Sequence, residues 1–171
     1  MRRRGRSSGI VGRLAALWLL LVTIAALGAP HWAPYPPDAQ DLEGRYGSPS
    51  AAHWLGQDHL GRDVFSRLLY GARVSLLVGG VTVVLSVGIG LVFGLAAGYY
   101  GGWVDQVVMR FIDILMAFPG ILLAIALAAV LGPSLRNVIV ALSVIGWVGY
   151  ARLVRGQTLV VKEMEFVAAA R

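Results

Sequence analysis

Twenty-five consecutive residues, Val74 to Gly98, carry no charge. A helix of that length, at about 1.5 Å per residue, crosses a hydrocarbon layer of ~30 Å with some tilt. Within lipid the backbone must satisfy its own hydrogen bonds, so a helix is the solution open to a single segment. Three further uncharged stretches are read as spans: Leu14 to Ala29, long enough once Ile10 to Arg13 are included, Ile114 to Leu131, and the shorter Val138 to Ala151, which runs into Leu153 and Val154. The chain therefore reads as an all-α membrane protein with four visible transmembrane helices. Composition agrees, since 14% of the 171 residues are charged and 57% are hydrophobic, whereas a soluble domain carries about 25% charged residues.

The segments between the spans differ in kind. Residues 1–13 form a basic cytoplasmic leader with Arg2, Arg3, Arg4, Arg6 and Arg13. Facing an apolar run, this cluster reads as membrane topology; no nucleic-acid partner is expected. The first span, 14–29, is read as an anchor in preference to a cleaved signal, although Ala26, Gly28 and Ala29 supply the small residues of a cleavage site. Residues 30–73 are an external segment. Its first part holds Pro30, Pro34, Pro36, Pro37 and Pro49, a density that blocks helix and central strand. Its second part, from Gly61, gathers Val64, Leu68 and Leu69 near one helical face, as in an amphipathic helix on the membrane surface. Asp63 and Arg67 are spaced for an i,i+4 pair. His53, Asp58, His59 and Asp63 match no metal-ligand spacing, and no metal site is expected.

Residues 74–171 form the core, with spans 74–98, 114–131 and 138–151. Gly90, Gly94 and Gly98 recur every four residues and make a flat strip for a neighbouring helix. Tyr99, Tyr100 and Trp103 suit a headgroup interface, and Arg110 can pair with Asp113 three residues on. Pro119 and Gly120 kink the third span, as a packing device or a hinge. With the leader inside, ten basic residues face the cytoplasm (Arg2, Arg3, Arg4, Arg6, Arg13, Arg110, Arg152, Arg155, Lys162, Arg171) and five lie outside (Arg45, Arg62, Arg67, Arg73, Arg136). This bias puts the N-terminus in the cytoplasm. No phosphate-binding Gly-x-x-x-x-Gly-Lys-Ser/Thr occurs and no serine sits in a Gly-x-Ser-x-Gly turn, so no enzyme activity and no cofactor are expected. From Gly149 the chain becomes polar and helix-prone, and it reads as a surface for a soluble partner. It stops within Ala168, Ala169 and Ala170 without a helix stop signal, so the chain reads as incomplete.

Two stretches carry a family resemblance. HWLGQDHLGRDVFSRLLYGARVSLLVG resembles the segment leading into the core of dipeptide/oligopeptide-type ABC transporter permeases. It agrees at His53, Leu55, Gly56, Asp58, Gly61, Arg62, Asp63, Ser66, Arg67, Tyr70, Gly71, Arg73, Ser75 and Leu76, and departs at Gln57, where threonine is usual. From Gly98 to Arg171 the chain resembles the same family's core almost throughout. The resemblance implies a six-helix importer permease fold, of which four helices are visible, in a bacterial-type plasma (inner) membrane. It implies a second permease subunit, two cytoplasmic ATP-binding subunits and an external substrate-binding protein as partners, besides membrane lipid. It also implies a short ATPase-coupling helix beginning near Glu163. Glu165, Phe166, Val167, Ala169, Ala170 and Arg171 match its opening, while Ala168 stands where the family carries an acid. The substrate would be a peptide, nickel or another small solute. The competing reading is a non-transporting membrane scaffold or an inactive permease fragment.

Overall fold

The computed structural model describes residues 7–165 and 167, and among them five helices account for the fold. They are α1 (Ser7–Trp32), α2 (Val64–Tyr100), α3 (Gly102–Met116), α4 (Gly120–Leu131) and α5 (Leu135–Lys162). Three are long and apolar enough to cross a membrane: α1 from Ile10, α2 and α5. The pair α3–α4 amounts to a fourth crossing if its two parts are taken as one broken span. The all-α expectation holds. The chain divides into two compact units at Leu77/Val78.

The first unit contains α1, the segment to Asp63 and the start of α2. Ala26, Ala29 and Leu69 are buried here. The proline-rich segment is more ordered than its composition suggests. Its backbone is tied by Tyr46 N–H to Asp58 O (3.0 Å), Gln57 N–H to Gly47 O (2.9 Å) and Val64 N–H to Gly56 O (3.1 Å). Residues Val64 to Arg73, expected as a separate surface helix, are the first turns of α2 and run on into the apolar stretch. Nothing between Leu69 and Ser75 supplies a stop: Gly71 alone does not end a helix, and no proline follows. At 37 residues α2 is ~55 Å long, well beyond the ~30 Å hydrocarbon layer. Its charged start with Arg67 and Arg73 is the part that lies beyond it.

In the second unit α2, from Val78, packs along α5 through the glycine strip. A Cβ built on Gly90 would lie 2.6–2.9 Å from Tyr150, Ala151 and Trp147. On Gly94 it would meet Ala151 and Val154, and on Gly98 Thr158 and Arg155. Residue numbers rise together on both helices, so α2 and α5 are parallel. Two consecutive spans that are parallel require the chain to recross the bilayer between them. The α3–α4 pair must supply that crossing, which excludes a re-entrant loop. Alone, α4 spans ~18 Å, so part of α3 contributes.

The third span differs from its expected form. Ile114 to Leu131 is not one kinked helix: α3 ends at Met116, α4 begins at Gly120, and the two are bent by 85°. Pro119 has no N–H and its ring pushes the preceding residue out of the helical region. The end of α3 closes instead on Ala117 N–H, which donates to Asp113 O (3.0 Å) and Ile114 O (3.2 Å). At the other end of α4, Asn137 Nδ2 donates to Leu131 O (2.6 Å) and Gly132 O (3.0 Å). Ser134 Oγ accepts from Asn137 N–H at 3.1 Å and caps α5. The core of the unit is Ile112, Trp147, Val148 and Ala151. Trp147 lies between Phe93 (ring centroids 5.3 Å) and Phe111 (6.2 Å). Away from this seam the helices expose apolar side chains such as Val92, Ile121 and Val130, as a lipid-facing surface requires.

Candidate functional site

Three sets of residues were singled out by the sequence, and each occupies a distinct place. The first is the motif before the core. Asp58 Oδ1 accepts from Leu60 N–H (2.8 Å) and Arg62 N–H (3.1 Å), while Oδ2 accepts from Arg62 Nε (2.8 Å). Arg67 Nε lies 3.5 Å from the same Oδ2. The Arg62 guanidinium holds the Asp58 carboxyl well below the usual carboxylate range, against the opposing effect of burial, and the two backbone donors add to it. Asp63 is buried. Its Oδ2 accepts from Ser66 N–H at 2.7 Å, which caps the start of α2, and Oδ1 meets His53 Nδ1 at 3.0 Å. Burial pushes this carboxyl up, but the bonds from Ser66 and His53 outweigh it and leave it below its ordinary value. Ser66 Oγ accepts from Tyr35 N–H at 3.2 Å, and the Tyr35 ring stacks on His53.

This geometry corrects the expected Asp63–Arg67 pair. Asp63 turns back to cap its own helix, and Arg67 goes to Asp58. Gly56 and Gly61 have φ of 74° and 73°, and a Cβ on them would run into the backbone of Gly47 and Asp41 respectively. Seven of the motif residues, Gly56, Asp58, Gly61, Arg62, Asp63, Ser66 and Arg67, thus build one hydrogen-bonded knot. Tyr70, Gly71 and Arg73 lie past it on α2, and nothing comes within 4 Å of a Cβ on Gly71.

The second set is Gly90, Gly94 and Gly98, with Pro119 and Gly120. The glycine strip is longer than its sequence signal. Ser86 precedes it by one turn, is buried, and its Oγ would lie 2.5 Å from a Cβ on Gly146. Thr82 precedes Ser86 by another turn. The hydroxyls of Thr82, Ser86 and Ser143 are buried without a hydrogen-bond partner. A four-residue spacing of small residues that includes hydroxyls was the signal available for this extension. Gly120 faces Ile145, whose Cγ2 would lie 3.2 Å from an added Cβ.

The third set is the tail. Glu163 follows α5 as its C-cap, and its N–H donates to Val160 O at 3.3 Å. Val167 N–H donates to Met164 O at 2.9 Å, and the Glu165 backbone is helical. Phe166, Ala168, Ala169, Ala170 and Arg171 lie outside the described residues, as do Arg2, Arg3, Arg4 and Arg6.

Sequence reasoning missed the contacts that hold the start of this tail. Arg155 Nε donates to Asp105 Oδ1 and Arg155 Nη2 to Asp105 Oδ2, each at 2.5 Å. Arg152 Nη2 bonds Asp113 Oδ1, so Asp113 pairs across helices and not with Arg110 as its spacing suggested. Lys162 Nζ donates to Tyr99 O at 2.9 Å. The available signal was the i,i+3 spacing of Arg152 and Arg155 on the face of α5 that turns toward α3.

These features define a multi-pass helical membrane protein in which α5 runs on into a polar tail. Residues 90–171 match the family described as binding-protein-dependent transport system inner membrane component. The glutathione transport system permease protein of Pectobacterium atrosepticum is 47% identical over 158 residues, covering 92% of this chain and 52% of that protein. The nickel transport system permease protein of Escherichia coli strain K12 is 46% identical over 159 residues, covering 93% and 57%. The chain spans about half the length of the curated relatives it matches. It belongs, through its core, to the binding-protein-dependent transport system inner membrane component family.

Proposed function

We propose that the chain is a permease subunit of an ATP-driven importer for peptides or similar small solutes. It forms the translocation pathway together with a second permease subunit, receives substrate from an external binding protein, and is driven by two cytoplasmic ATP-binding subunits. The observation that carries this reading is α5. It runs without a break from an apolar span into the charged residues Arg152, Arg155 and Lys162 and on to Glu163, inside the region that matches the permease family. The sequence has no phosphate-binding loop of its own, so hydrolysis belongs to other subunits. The substrates in the relatives' names, glutathione and nickel, support a small polar solute and do not choose between a peptide and a metal.

In this reading the N-terminus and the tail both face the cytoplasm, following the ten-to-five distribution of basic residues. Glu163, Glu165, Phe166, Ala168, Ala169, Ala170 and Arg171 open the segment that docks into an ATP-binding subunit, with the small alanine face fitting a groove and Glu165 and Arg171 fixing it by charge. Gly90, Gly94 and Gly98 pack α2 on α5, and Pro119 with Gly120 allows α4 to rock. The test is a photo-reactive residue at Glu165 in the chain co-expressed with its cognate ATP-binding subunit. A covalent adduct of the two proteins is expected. Its absence, with both proteins present in the membrane fraction, would remove the docking role.

A further inference from the structure

The tail leaves α5 just beyond a set of contacts whose geometry has a consequence for where the tail points. Asp105 and Asp113 stand eight residues apart on α3, ~12 Å along its axis. Their partners Arg155 and Arg152 stand three apart on α5, ~4.5 Å along its axis. A bar whose contacts are spread along its own length but bunched on its neighbour lies across that neighbour. So α3 crosses α5 obliquely and is fixed to it near both ends. Between those ends Ile112 is fully buried against the Trp147–Ala151 face, which prevents α3 from lifting away.

The two fixings differ. Arg155 meets Asp105 through Nε and Nη2 on separate oxygens, a fork that fixes orientation as well as distance. Its side chain is 30% exposed and that of Asp105 20%, so water screens the pair little. Arg152 meets Asp113 through one nitrogen, with side chains 45% and 54% exposed, a looser and more screened contact. About two turns beyond Arg155, Lys162 reaches back to the last turn of α2 at Tyr99 O. The last two turns of α5 are thereby held from two sides, by α3 and by the end of α2.

We propose that Asp105 and Arg155 are the positioning pair for the tail: their forked ion pair, set across α5 by α3, fixes the direction in which residues after Lys162 leave the membrane bundle. This rests on the tail being the docking segment, but its test needs no ATP-binding subunit, so the two readings fail separately. The chain has no cysteine, so nitroxide labels at Val130→Cys on α4 and Glu163→Cys at the tail report the direction without background. Electron–electron distance measurements are made on the full chain in lipid nanodiscs. The unaltered pair gives a single narrow distribution. Asp105→Asn widens it at least twofold while the helix content by circular dichroism is kept. Arg155→Lys gives an intermediate width, because one ammonium cannot engage both oxygens in the fork. The exchanged pair Asp105→Arg with Arg155→Asp narrows the distribution again. An Asp105→Asn distribution as narrow as the original overturns the proposal. So does loss of helix content in that variant, since a pair that only aims the tail leaves the helices formed.

Discussion

At Asp63 a single carboxylate joins a loop to the helix that follows it. One oxygen caps α2 through Ser66 N–H and the other holds His53. Asp63→Ala removes both and leaves donors unpaired in a buried place, a loss of about 1–3 kcal/mol. Hydrogen exchange of the amides of residues 56–67 is the measurement, with faster exchange confined to that stretch expected. The pH dependence has a definite sign. A carboxyl whose pKa is depressed by folding contributes stability above its unfolded value and loses it as pH falls through the folded one. Asp58 and Asp63 are both depressed. The part of this stretch's protection that the two carboxylates carry therefore falls only below about pH 4, and Asp63→Asn removes the part of the fall that Asp63 carries. The sequence announced these residues through the family motif but not their partners. An i,i+4 spacing offers Asp63 to Arg67, yet a carboxylate one residue before a helix finds free N–H groups nearer at hand. His53 and Tyr35 reach it only through a loop whose path no local pattern encodes.

Among the elements, the α2–α5 seam was half legible. Glycines at every fourth position signal close approach on α2, but the opposing surface lies some sixty residues on, and nothing local names it. The seam leads to two contrasting substitutions. Gly94→Leu places a side chain where Ala151 O and Val154 already stand within 3 Å. Overpacking of this kind costs about 1–3 kcal/mol, read as a loss of thermal stability in detergent. Ser86→Ala, one turn along the strip from Gly90, removes a buried hydroxyl that has no partner, so it is neutral or slightly stabilising, within about 1 kcal/mol. The broken α3–α4 span was also half legible. Phe118-Pro119-Gly120 was readable as a kink, whereas the size of the bend was not, because proline removes one hydrogen bond without fixing the angle. Packing of Ile112 on α5 and the Asp113–Arg152 pair take α3 in one direction, and the Asn137 cap holds the far end of α4.

For the whole molecule, apolar length and the absence of charge made the membrane class plain, and the parallel packing of α2 and α5 makes the broken α3–α4 pair the crossing between them. Side-chain chemistry at the end of the bundle was not plain, because Asp105 and Arg155 stand fifty residues apart and become neighbours only once α3 lies across α5. Everything proposed about coupling requires the tail to lie in the cytoplasm, on the side opposite the α4–α5 turn. Cysteine labelling of intact cells with a membrane-impermeant maleimide tests this directly in a chain that has no cysteine of its own. Arg136→Cys, in the first turn of α5, is labelled from outside, and Glu163→Cys is labelled only after the cells are permeabilised. Labelling of Glu163→Cys in intact cells contradicts the account.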